Sequence, residues 1–145
     1  MNPRFSTNGH SAPKPTIEDR KKALVRDLKS EYEQINQELS DAIEWLREIP
    51  VLYGAELVIC SDDSGRYETR LGYFKYGGVW SIYLGDEDTL WRGNETQIEW
   101  KPVLECSMED KSAALRHLAD LKAKVVEEGE NFVHSRRQTT AELDI

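Results

Sequence analysis

Residues 71–84 read Leu-Gly-Tyr-Phe-Lys-Tyr-Gly-Gly-Val-Trp-Ser-Ile-Tyr-Leu, LGYFKYGGVWSIYL in one-letter code. Two glycines lie between two runs rich in aromatic and β-branched residues, which favour a pleated, half-buried surface. A two-residue loop of the primed type needs positive φ at both central positions, and glycine adopts that at no steric cost. Gly77-Gly78 therefore predicts a tight antiparallel hairpin, and a two-residue loop fixes the register. Tyr76 should face Val79, Lys75 Trp80, Phe74 Ser81, Tyr73 Ile82, Gly72 Tyr83 and Leu71 Leu84. Successive strand side chains point to opposite faces. Leu71, Tyr73, Lys75, Trp80, Ile82 and Leu84 thus share one face, read as core. Gly72, Phe74, Tyr76, Val79, Ser81 and Tyr83 share the other.

Working outward, Glu56-Leu57-Val58-Ile59-Cys60 is a short strand, joined to the hairpin by turn chemistry at Ser61-Asp62-Asp63-Ser64-Gly65. Downstream, Gly85-Asp86-Glu87-Asp88-Thr89 reads as another turn, and Ile98-Glu99-Trp100 centres a fourth strand. Short connections make neighbours antiparallel, so 55–106 is expected to be a four-stranded meander. On the fourth strand, Gln97, Glu99 and Lys101 are expected to flank the aromatic face.

Helices enclose the sheet in sequence. Thr16 is a good N-cap with Glu18 and Asp19 behind it, and Pro50 ends the run, which predicts a helix over 16–49. Within it Val25, Leu28, Tyr32, Ile35, Leu39, Ala42, Leu46 and Ile49 recur in steps of three and four, a heptad stripe. Ser107 opens a last helix over 107–128, with Ala114, Leu115, Leu118, Leu121, Val125 and Val126 on its apolar face and Gly129 as its stop. Residues 1–15 read as a disordered tail and 129–145 as an extension or tail. The expectation is a single α+β domain over 16–128: a long N-terminal helix, a four-stranded antiparallel meander and a long C-terminal helix.

Composition narrows function by exclusion. With 145 residues, 39% hydrophobic and 32% charged, the chain has the make-up of one water-soluble globular domain. No apolar run approaches a transmembrane span, and the first residues lack the apolar centre of a secretory signal, so the cytoplasm is expected. Cys60 and Cys106 read as two small buried thiols, without zinc spacing. A net charge of −8 argues against direct binding of nucleic-acid backbone and fits a basic protein partner. His10, His117 and His134 fall in separate segments. No nucleophile elbow, calcium loop or glycine-rich phosphate loop occurs. No motif demands a cofactor or metal, and none supplies catalytic residues.

Three surfaces remain as candidates. The stripe residues Leu28, Tyr32, Ile35, Leu39 and Leu46 suit self-association, because a helix of 34 residues spans about 50 Å and a domain of this size only about 38 Å. The sheet face with Phe74, Tyr76, Val79 and Tyr83 is either a partner-binding patch or a covered part of the core. The acids Asp62, Asp63, Asp86, Glu87 and Asp88 form a negative surface. The leading expectation is a non-catalytic protein–protein interaction module, regulatory or adaptor in kind and homodimeric. An acidic mimic of nucleic acid that inhibits a basic nucleic-acid-binding protein is the second expectation. A small-ligand or nucleotide binder using the aromatic face is the third.

Overall fold

The computed structural model of the protein describes residues 13–88 and 98–143. In chain order it has helix α1 (Ile17–Arg47), strands β1 (Ala55–Ser61), β2 (Tyr67–Tyr76), β3 (Val79–Asp88) and β4 (Glu99–Pro102), a 3₁₀ turn (Val103–Glu105), and helices α2 (Met108–Arg116) and α3 (Leu118–Leu143). The strands form one sheet in the order β1-β2-β3-β4, every pair antiparallel. The α+β architecture is the expected one. Most of the expected N-terminal tail lies outside the described residues, as does Thr89.

The chain divides into two compact units, Met1–Glu33 and Gln34–Ile145, and the boundary falls inside α1. The uninterrupted stripe along α1 carries no mark of that division. In the first unit, α1 opens on a reciprocal capping box. The Asp19 N–H donates to Thr16 Oγ1 at 3.1 Å and the Thr16 N–H donates to Asp19 Oδ2 at 3.3 Å, which satisfies two donors at the helix start. No residue from Ile17 to Glu33 is buried, and Ile17, Leu24, Val25, Leu28 and Tyr32 are all exposed.

In the second unit, the stripe changes role. Leu39, Ala42, Ile43 and Leu46 of α1 are buried against Leu71, Tyr73, Ile82 and Leu84 of the sheet, together with Val103, Cys106, Ala114, Leu121 and Val125. Each fully buried aliphatic side chain is worth roughly 1.5–3 kcal/mol. Polar contacts fix the packing: Arg47 Nε donates to the Trp80 carbonyl at 2.9 Å, and the buried Lys111 ammonium donates to Asn36 Oδ1 at 2.7 Å.

The central hairpin has the expected register throughout, Tyr76 to Val79 through Leu71 to Leu84. Gly77 and Gly78 have φ of +58° and +83°, as a primed turn requires. Beyond it the structure corrects the sequence in four places. The stretch 85–88, expected to turn, continues β3, with Arg70 paired to Gly85 and Tyr67 to Asp88. A ten-residue β2 offers a ladder that long, and each acid of the stretch meets a partner across it.

The second correction is the parity of β4. Trp100 pairs with Gly85 and Pro102 with Tyr83, so Trp100 joins the aromatic face while Glu99 and Lys101 sit opposite Asp86 and Leu84. Gln97 lies outside the described residues. The third is the last helix, which breaks at His117 and then runs through Gly129 to Leu143. No proline follows Pro102, so nothing forbids the continuation, and glycine inside a helix costs only about 0.5–1 kcal/mol. The fourth is Cys60, which is exposed; Cys106 is buried, and both are free thiols.

The sheet has two edges. On β1 a bulge shifts the register between Val58 and Cys60, and the Lys124 ammonium of α3 donates to the Glu56 carbonyl. On the other side, β4 is four residues long and ends in Pro102.

Candidate functional site

The sheet face away from the helices is closed by its own side chains. Tyr83 is 3% exposed yet stands apart from the main core, beneath a layer of rings. Phe74 stacks on Tyr83 at 5.1 Å between centroids and meets Trp100 edge-on at 4.7 Å, while Tyr76 meets Tyr83 edge-on at 5.4 Å. Such pairs add about 0.5–1.5 kcal/mol each beyond area burial. Two glycines make the layer possible. A Cβ on Gly72 would stand 2.5 Å from the Phe74 ring, and one on Gly85 would stand 2.7 Å from the Trp100 ring. Phe74 and Trp100 are half-buried, and Tyr76 and Val79 are exposed at the hairpin end. Covered core and open patch are thus both present: Tyr83 belongs to the first, Tyr76 and Val79 to the second.

The Tyr83 hydroxyl lies 2.8 Å from the Val79 carbonyl and 3.1 Å from the Tyr76 carbonyl, with one proton to donate between them. Burial raises its pKa above the ordinary tyrosine value. The bond ties the ring layer to the closing pair of the hairpin. Tyr83→Phe keeps the ring and removes the tie, so it should cost about 0.5–1.5 kcal/mol of stability. Urea denaturation checks this, and an unchanged midpoint would show the hydroxyl to be idle.

The five candidate acids differ in burial and in what holds them. Asp62 organises the β1–β2 turn: its carboxylate accepts from the Tyr67 N–H at 3.1 Å and from the Ser64 hydroxyl at 2.9 Å. The Tyr67 N–H is the main cause that lowers its pKa. Asp86 accepts from Thr69 Oγ1 at 2.8 Å, and Asp88 is bound by Arg66 at 3.2 Å. Asp63 is exposed.

Glu87, expected on the surface, is instead 7% exposed, because β3 continues and turns it inward onto Arg70. Arg70 Nε lies 2.8 Å from Glu87 Oε2, an ion pair without hydrogen-bond alignment, and Arg70 also reaches Glu68 at 3.2 Å and Glu56 at 3.5 Å. Four of the five acids are therefore engaged within the fold.

The self-association stripe divides. Leu39 and Leu46 are fully buried and Ile35 packs on the same core, so these three are committed inside the second unit. Leu28 and Tyr32 are exposed, with Leu24 and Val25 beside them.

One surface was not read from the sequence. Val51, Leu52 and Tyr53, which follow α1, and Val126, Phe132 and Val133 of α3 line an open groove of about 1060 Å³. Gly129 lines it as well, and a Cβ added there would make ordinary contact with Val51 at 3.6 Å. Phe132 lies seven residues beyond Val125, on the same helical face, and that spacing was the available signal.

Among the described residues no group of three or more His, Cys, Asp or Glu is placed to hold a metal ion, and no helix is long and apolar enough to cross a membrane. Comparison with family models, curated proteins and solved structures finds no match.

Proposed function

We propose that this protein is a non-catalytic protein–protein interaction module, regulatory or adaptor in kind, that pairs with a second copy of itself through the first half of α1. The observation that carries the reading is the exposed row Leu24, Val25, Leu28 and Tyr32 on a capped helix whose first half buries nothing. Apolar surface leaves water with a gain of roughly 25 cal/mol per Å², so a contiguous exposed row favours a partner. A net charge of −8 supports a basic protein as the outside partner, and two free thiols support a reducing compartment such as the cytoplasm.

Light scattering tests the self-association. The full chain at about 50 µM should show twice its monomer mass, and the double variant Leu24→Glu/Leu28→Glu should return to the monomer mass. A strict monomer at that concentration, or a double variant that associates like the native chain, would overturn the proposal.

A further inference from the structure

We infer that the groove beside α3 receives the first half of α1 from a second copy of the chain, laid parallel to α3. The inference rests on the self-association proposed above and names the surface that answers it. The groove is apolar and open, with Leu52 62% and Tyr53 75% exposed, and no residue of α3 beyond Val125 is buried.

The exposed row of α1 is better suited to a groove than to its own copy. A self-paired coiled coil sustains its seam over three or four heptads. Here the seam offers only Val25, Leu28 and Tyr32, since Glu18 and Lys21 hold the preceding seam positions and Ile35 onward is committed to the core. Val25, Leu28 and Tyr32 stand at i, i+3 and i+7, the anchor spacing of a helix lying in a groove. Leu24 widens that face beyond a narrow seam.

Charge sets the direction. Residues 20–29 carry five bases and one acid, and Glu31 and Glu33 follow. Along α3 the order of sign is opposite: Glu128 and Glu130 stand at the groove's start and Arg137 at its far end. Lys21 and Lys22 stand nine to ten residues before Glu31, and Glu128 and Glu130 seven to nine before Arg137, roughly 10–15 Å of rise on each helix. A parallel arrangement therefore sets Lys21 and Lys22 beside the two glutamates and Glu31 beside Arg137. An antiparallel one sets like charges together. Each copy has one such helix half and one such groove, and the reciprocal pair is the closed form of that contact.

Charge exchange between two full-length variants tests this. Lys21→Glu/Lys22→Glu reverses the helix, and Glu128→Lys/Glu130→Lys reverses the groove; all four residues are exposed, so both variants should fold, with circular dichroism as the check. In sedimentation velocity each variant alone should self-associate at least tenfold more weakly than the native chain. An equimolar mixture should recover association, because the hybrid pair opposes unlike charges at both contacts. If the groove variant associates like the native chain, or the mixture fails to recover, the inference falls while the self-association proposal stands. A native chain that stays monomeric overturns both.

Discussion

Gly54→Ala is expected to lose at least about 3 kcal/mol of stability, the upper end of what overpacking costs. A Cβ at position 54 would stand 1.8 Å from the Tyr73 carbonyl oxygen and 2.5 Å from Phe74 Cβ. Neither neighbour is the far end of a flexible side chain. Relief therefore requires β2 to move, and β2 carries Leu71 and Tyr73 into the core and pairs with both neighbours. Replacing glycine also restricts the unfolded chain, which favours folding by about 0.4–1 kcal/mol, too little to offset the clash. Against a total stability of about 5–15 kcal/mol the loss is large. Gly129→Ala supplies the contrast. Its Cβ meets only Val51, at ordinary contact distance inside a helix, so the same substitution should gain about 0.5–1 kcal/mol. Urea denaturation followed by circular dichroism measures both, and an unchanged or raised midpoint for Gly54→Ala would contradict the packing described for position 54.

Arg70→Met is expected to cost about 3 kcal/mol, because it leaves the buried Glu87 carboxylate without its counter-charge. The loss falls at the lower end for broken buried pairs, since Arg70 is itself 30% exposed at the side chain and water screens part of the attraction. Glu87→Leu should cost much less, about 1 kcal/mol, since Arg70 keeps Glu56 and Glu68. The double variant Arg70→Met/Glu87→Leu should recover most of the loss, as apolar replacements of buried pairs commonly do. A double-mutant cycle on denaturation midpoints gives the coupling. Strictly additive losses would mean that the two residues act separately.

Legibility of the sequence followed how local the determining physics was. The hairpin register was readable because Gly77-Gly78 allows a two-residue loop, and such a loop leaves one pairing. The start of α1 was readable because Thr16 and Asp19 satisfy the helix's first donors from three residues away. Residues 85–88 misled, since glycine among acids is turn chemistry locally, while Thr69, Arg70 and Arg66 bind those acids only once the ladder has formed. The parity of β4 depends on the Trp100 ring filling the space over Gly85, a contact between distant residues. Gly129 was read as a stop from propensity alone, which tertiary context overrides at modest cost.

The candidate surfaces followed the same rule. The heptad spacing of α1 was visible, but where along it the apolar row passes from core to solvent depends on where the sheet lies. The groove was invisible for a related reason, because its two walls are separated by more than seventy residues of chain.

The guarded sheet edges bear on how far any assembly can grow. A sheet with a long, flat free strand is a template, and each added copy offers the next one the same template. Here the bulge bends β1, the Lys124 ammonium holds the Glu56 carbonyl, and Pro102 has no N–H to offer at the short opposite edge. Strand-by-strand propagation would first have to break these features. The sheet therefore offers a growing fibre no long, flat strand to copy, whatever the molecule binds.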